Sequence, residues 1–209
     1  MNELERIFAE AKSAAQYSRL YIEHLRQILA RLDFSAVEKF IEILDSARRT
    51  GQTVFFVGNG GSAATASHWA NDLSIGTQVK GVPCFRALSL TDNVPILTCL
   101  GNDRSYQDLF VGQLEVLFRE GDVLVAISAS GNSPNVLRAI EYANSHGGTT
   151  IGLSGFDGGR MGSLCQLCIN VDTARGEYGP VEDVHLVLDH LVTSYLKAKD
   201  RASLGPAPA

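Results

Sequence analysis

Long apolar runs are missing from this chain of 209 residues. No stretch approaches the roughly 18 residues that cross a membrane, so no membrane partner is expected. Runs of basic charge are missing too. Lys and Arg number 18 against 23 Asp and Glu, a net charge of −5. Nothing could neutralise several phosphates in a row, so nucleic acid is not an expected partner. The opening Met1-Asn2-Glu3-Leu4-Glu5-Arg6 lacks a basic segment followed by an apolar one. No secretory leader is expected, and the cytoplasm is the expected compartment. Cysteine is scarce: Cys84, Cys99, Cys165 and Cys168 read as reduced, mostly buried thiols. The Cys165-Gln166-Leu167-Cys168 spacing lies in an apolar stretch with no second pair, which favours core over a redox or zinc role.

What is present is a globular composition, 45 % apolar and 20 % charged, enough for a core. Residues 1–49 carry apolar positions at helical spacing, with a break and helix cap expected at Asp33-Phe34-Ser35. Thereafter short apolar strands alternate with helices. Strands are expected near 53–57, 85–90, 122–127, 149–154 and 167–171. Helices are expected near 63–73, 105–118, 135–146 and 181–197, the last after a breaker run, Gly176-Glu177-Tyr178-Gly179-Pro180. That alternation implies βαβ units: an α/β fold of three layers, a five-stranded parallel sheet flanked by helices. The expected organisation is a helical packing arm over 1–49, a ligand-binding domain over 50–200 and a disordered tail over 201–209.

Two strand-to-helix loops are suited to an anion, which in such sheets binds outside the carboxyl ends of the strands. In Gly58-Asn59-Gly60-Gly61-Ser62 the glycines allow close backbone approach. It matches neither a dinucleotide fingerprint nor a P-loop. Ser128-Ala129-Ser130-Gly131-Asn132-Ser133 places three hydroxyls beside the free N–H groups of a helix start, a neutral, donor-rich cradle for a phosphomonoester. Serines can also merely cap a helix, but three within six residues favour the phosphate reading.

Further candidates come from helix spacing. His68 and Asp72 stand at i, i+4, and Glu182 and His190 are eight apart, two such steps, sharing a broad face. Two helices meeting on these faces would offer four N/O ligands, a set that suits Zn²⁺. His185 and Asp189 form an equally good i, i+4 pair, the purely structural alternative.

Together, Val57-Gly58-Asn59-Gly60-Gly61-Ser62, Leu100-Gly101-Asn102-Asp103, Glu120-Gly121-Asp122-Val123-Leu124, Ile127-Ser128-Ala129-Ser130-Gly131-Asn132-Ser133 and Gly155-Phe156-Asp157-Gly158-Gly159 resemble the SIS (sugar isomerase) domain family, and most closely its phosphoheptose isomerase branch. The resemblance covers nearly the whole chain. It implies a flavodoxin-like sheet and aldose–ketose isomerisation of sedoheptulose 7-phosphate to D-glycero-D-manno-heptose 7-phosphate. It also implies a homotetramer with interfacial sites and, as in several members, a bound zinc, one per subunit. Substrate contacts fall on Asn59, Gly60, Gly61, Ser62, Asp72, Asp92, Asn93, Ser128, Ala129, Ser130, Ser133 and Glu182. Metal ligands fall on His68, Asp72, Glu182 and His190. The catalytic groups fall on Asp72, Glu182 and His190, with His190 as acid and the base open between the two carboxylates.

The chain departs from the family at several of these positions. Asp72 stands where the family has Glu, and Glu182 where it has Gln. The family's substrate-binding Arg falls near Gly76, and its Asp-Arg pair on Gly179-Pro180. The family also includes a non-catalytic relative that associates with the bacterial replication initiator. That relative lacks a histidine at the place of His190, so His190 favours the enzyme. A sugar-phosphate sensor domain of a regulator is disfavoured, because residues 1–49 hold no basic recognition helix.

Overall fold

The computed structural model describes residues 2–204; most of the expected tail, 205–209, lies outside the described residues. Five strands form one parallel sheet: β1 (Thr53–Gly58), β2 (Arg86–Ser89), β3 (Val123–Ser128), β4 (Thr149–Gly155) and β5 (Leu167–Val171), in the order β2-β1-β3-β4-β5. The expected three-layer architecture and strand count are what the chain adopts. Side chains alternate across the pleat, so one strand feeds two cores. Phe56, Val54, Val125 and Ile127 pack with Phe40, Leu44, Trp69, Leu188 and Val192 on one side. Phe55, Val57, Leu124 and Ala126 pack with Leu114, Phe118, Leu137 and Ile140 on the other.

The N-terminal region is three helices: α1 (Glu3–Glu10), α2 (Ala14–Ala30) and α3 (Phe34–Thr50). Asp33 caps α3 through the N–H groups of Ser35 and Ala36, and Gly51, at φ 75°, ends it in the left-handed region. Phe40 and Leu44 of α3 are fully buried against the sheet. Helix α3 is thus part of the three-layer body, and α2 joins the same core through Ile28, with Leu25 and Leu29 packed on it, so the expected arm over 1–49 is not a separate unit.

After β1 comes α4 (Gly61–Asn71), continued by one π turn over Asp72–Gly76. A helix absent from the expected set, α5 (Val94–Asp103), follows β2. The helix expected over 105–118 is a 3₁₀ turn at Tyr106–Asp108 and a shorter α6 (Val111–Leu117). Then come α7 (Pro134–Ser145), α8 (Met161–Leu164) and α9 (Tyr178–Ser203). Helix α9 begins three residues before the expected start, because Pro180 sits in its first turn, where a missing N–H breaks no intrahelical bond. It also runs to Ser203, so residues 201–203 are helical rather than tail. Cys84 and Cys99 are exposed, unlike the buried thiols expected, while Cys165 and Cys168 are half-buried and unpaired. Among the described residues no helix is long and apolar enough to cross a membrane.

Candidate active site

The two loops leave neighbouring strands β1 and β3 at the carboxyl edge of the sheet. Gly60, at φ 55°, opens α4, and Gly58 lies so close to the Ser62 backbone that any Cβ there would collide with it. Gly131, at φ 60°, turns the serine segment toward α7. A Cβ there would strike the Gly158 carbonyl. Ser128 is buried, with its Oγ 3.2 Å from Ser133 Oγ. Ser130 Oγ accepts from the Asn132 N–H at 3.3 Å. Ala129 is buried, and its carbonyl accepts from the Gly155 N–H. Ser133 is the N-terminal flanking residue of α7 but makes no side-chain cap bond, so its hydroxyl and the first α7 N–H groups are not spent on each other.

The loops are clamped together. Asn59 Nδ2 donates to Asn135 Oδ1 and Asn135 Nδ2 donates to Asn59 Oδ1, both at 2.8 Å. Asn135 is 1 % exposed, and Tyr106 Oη donates to the same Asn59 oxygen at 3.1 Å. Asn135 and Tyr106 carried no signal in the sequence, because neither belongs to a spaced set. Asn59, Gly60 and Tyr106 line a cavity of 320 Å³ beside the glycine loop, shared with Thr91. Asp92 receives hydrogen bonds from Ser67 Oγ and Thr91 Oγ1, and Asn93 caps α5 by accepting from the Ile96 N–H. These two residues shape the loop after β2.

Helices α4 and α9 pack against each other. Glu182, in the first turns of α9, has its carboxyl group against Gly61, where a Cβ would collide with it. Burial first, then the neighbouring Asp183 charge, raises the Glu182 pKa above the usual carboxylate range. Further along, His190 Nε2 lies 3.1 Å from His68 Nε2, and Asp72 Oδ2 lies 3.4 Å from His68 Nε2. The structure therefore brings His68, Asp72 and His190 together. It does not bring Glu182 to them. Its carboxyl lies at Gly61, seven residues or about 10 Å along α4 from His68, and it is not among the donors that gather around the histidines.

The fourth member of the group is Asp189. Its side chain is fully buried, its Oδ2 is 3.9 Å from His68 Nε2, and neither oxygen has a hydrogen-bond partner. Burial first and the Asp72 charge second push its pKa up to about 8. The i, i+4 pairing with His185 expected from spacing does not form: the His185 ring turns to the Ser154 carbonyl, at 3.1 Å from Nε2. One donor atom from each of His68, Asp72, Asp189 and His190 lies within 4.8 Å of all the others. Two imidazoles and two carboxylates, one of them buried without a partner, are a donor set that fits a divalent cation.

The SIS domain family matches residues 16–155. The chain is 41 % identical to a phosphoheptose isomerase of Nitratidesulfovibrio vulgaris over 72 % of this chain and 74 % of that one. It is 40 % identical to a phosphoheptose isomerase of Rhodospirillum rubrum, over 75 % and 82 %. Among solved structures it is similar to a phosphoheptose isomerase from Neisseria gonorrhoeae, with a TM-score of 0.79 and 28 % identity across 88 % of this chain and 98 % of that one.

Proposed function

The chain belongs to the SIS domain family, within the phosphoheptose isomerases, and is therefore an aldose–ketose isomerase; from that premise we propose that it converts sedoheptulose 7-phosphate to D-glycero-D-manno-heptose 7-phosphate. The observation that carries the reading is the pairing of a phosphate-sized cradle with a separate acid–base group along one helix pair. The Ser128–Ser133 turn and the Gly60-Gly61-Ser62 start of α4 hold the phosphate through hydroxyls and backbone N–H groups. His68 lies seven residues along α4 from Gly61, about 10 Å of axial rise, a span suited to an extended seven-carbon sugar. Glu182, whose carboxyl group lies against Gly61 at the start of that span, binds sugar hydroxyls next to the phosphate.

The isomerisation moves one proton between C1 and C2 and another between O1 and O2. Asp72 and His190 are the pair near enough to serve both carbons. Asp72, one-quarter exposed, takes the proton from C1 of the ketose and returns it to C2. His190, also exposed, gives a proton to O2 and recovers one from O1. Asp92 and Asn93 close the sugar end of the loop after β2. A Zn²⁺ ion held with His68, one per subunit, would polarise the carbonyl and steady the charge on its oxygen. The working form is a homotetramer in the cytoplasm.

The test is turnover. A panel of five- to seven-carbon ketose phosphates, followed by NMR in D₂O, should show the heptose 7-phosphate formed with deuterium incorporated at C2. No turnover of any member would overturn the reading and leave a sugar-phosphate-binding protein. The Ser130→Ala/Ser133→Ala variant should raise KM at least ten-fold with kcat changed less, the loss expected when about 1.4 kcal/mol of uniform binding goes.

A further inference from the structure

Glu182 stands where the family relation calls for a metal ligand, yet it is two helical turns away from the histidines. The carboxylate that the fold does bring to them is Asp189. Helix α9 carries an apolar stripe, Val181, Val184, Leu188, Val192 and Leu196, each fully buried. Asp189 sits beside that stripe with its side chain at 0 % exposure. A carboxylate in such a place usually takes two or more hydrogen bonds, since its desolvation is otherwise uncompensated. Here both oxygens have none. The His68, Asp72 and His190 side chains each bring a donor atom within 4.8 Å of one of them.

We propose that Asp189, rather than Glu182, completes a divalent-cation site with His68, Asp72 and His190 inside one protomer. The spacing of the donors suits a tetrahedral ion. Metal–nitrogen and metal–oxygen bonds of about 2.1 Å put neighbouring donors about 3.4 Å apart. The His190 to His68 separation is 3.1 Å and the His68 to Asp72 separation 3.4 Å. The His68 to Asp189 separation, 3.9 Å, closes by a small rotation of either side chain. Two carboxylates offset the charge of the ion, and two imidazoles select a borderline metal such as Zn²⁺ over Mg²⁺. The two carboxylates then divide the work by depth. Asp189, sealed from solvent, can only hold the ion. Asp72, partly exposed, ligates through Oδ2, while its Oδ1 accepts from Asn71 Nδ2 at 2.9 Å. This inference rests on the metal-assisted part of the proposed function, not on the isomerase reading itself.

The experiment measures metal binding without turnover. Full-length protein stripped with a chelator is titrated with Zn²⁺ by calorimetry, and its Tm is recorded with and without Zn²⁺ or Mg²⁺. Wild type and Glu182→Ala, which removes any donor at that position, are expected to bind one Zn²⁺ per chain with Kd values within about three-fold, and to gain Tm from Zn²⁺ but not from Mg²⁺. Asp189→Asn is expected to weaken Zn²⁺ binding at least ten-fold, the scale on which a single lost partner changes metal affinity. Its metal-free Tm should be no lower than that of wild type, because the acid it replaces is buried with neither oxygen hydrogen-bonded. Asp189→Leu, a second variant compatible with the apolar surroundings, should behave the same way. Unchanged Zn²⁺ affinity in both Asp189 variants would overturn the assignment, as would an equal loss in Glu182→Ala. Wild type that binds no Zn²⁺ would overturn it as well, while leaving the isomerase reading to its own turnover test.

Discussion

His185 has no exposed surface and spends its Nε2 on the Ser154 carbonyl, leaving Nδ1 without a partner. Burial holds its pKa down at about 4. In the unfolded chain the imidazole titrates near 6.5. Between those values the unfolded state binds the extra proton, so stability is complete above pH 6.5 and falls as pH drops toward 4. Urea unfolding at pH 7 and pH 5 should differ by about 2 kcal/mol from this group. His185→Asn should reduce that difference; an unchanged pH slope would show that the ring is not held neutral. The same residue shows what helix spacing can reveal and what it cannot. The i, i+4 rule put His68 beside Asp72, as found. It also paired His185 with Asp189, which do not meet, and two such steps put Glu182 on one broad face with His190 without bringing them together. Spacing reports azimuth around a helix axis. Height along the axis, and the choice a side chain makes between two neighbours, depend on what packs opposite. The one hint of Asp189 was an acid bordering a buried apolar stripe, a sign that asks what compensates it.

Helices α3 and α9 are tied by a nearly buried ion network. Arg48, 7 % exposed, bridges Asp45 and Asp200, and its guanidinium lies over the Phe85 ring at 4.6 Å. Lys199 and Arg49 also reach Asp45. Removing the central cation leaves Asp200 buried without its charge partner, so Arg48→Met should cost about 3 kcal/mol by denaturant titration. A loss below 1 kcal/mol would mean the network is neutral in stability. Most elements of this scale were legible: the strands fell within a few residues of their expected bounds because each is a short apolar run between turn residues. Helix α5 was not. Its signature is present, Asn93 as cap and Pro95 in the first turn, but a polar residue in the loop after a strand suits a sugar contact as well as a helix start, and the resemblance points to the first. The three-residue shift in the start of α9 has the same origin, since glycine and proline were read as a break where they form a first turn.

At the scale of the molecule, the five-stranded parallel sheet follows from the alternation of strands and helices, whereas its strand order and the assembly do not. The surface keeps large apolar side chains in the open: Phe8 at 75 %, Ile22 at 62 % and Phe34 at 58 % exposure in the N-terminal helices, with Leu191 and Tyr195 on α9. Patches of that kind support association of copies, consistent with the proposed tetramer. Light scattering behind a sizing column should give the mass of four chains, and Ile22→Glu should shift it to a smaller species with the far-UV spectrum unchanged. A wild-type mass of one chain would rule the assembly out. The reciprocal Asn59–Asn135 amide pair has a consequence for selectivity. Because each amide is at once donor and acceptor to the other, neither can turn alone, and the two loops proposed to hold the phosphate form one stiff jaw before any sugar arrives. The gap from that jaw to the histidine pair is then a fixed gauge. Substrates would be sorted by chain length, with a sugar one carbon too short gripped well and left out of reach of the proton-moving groups.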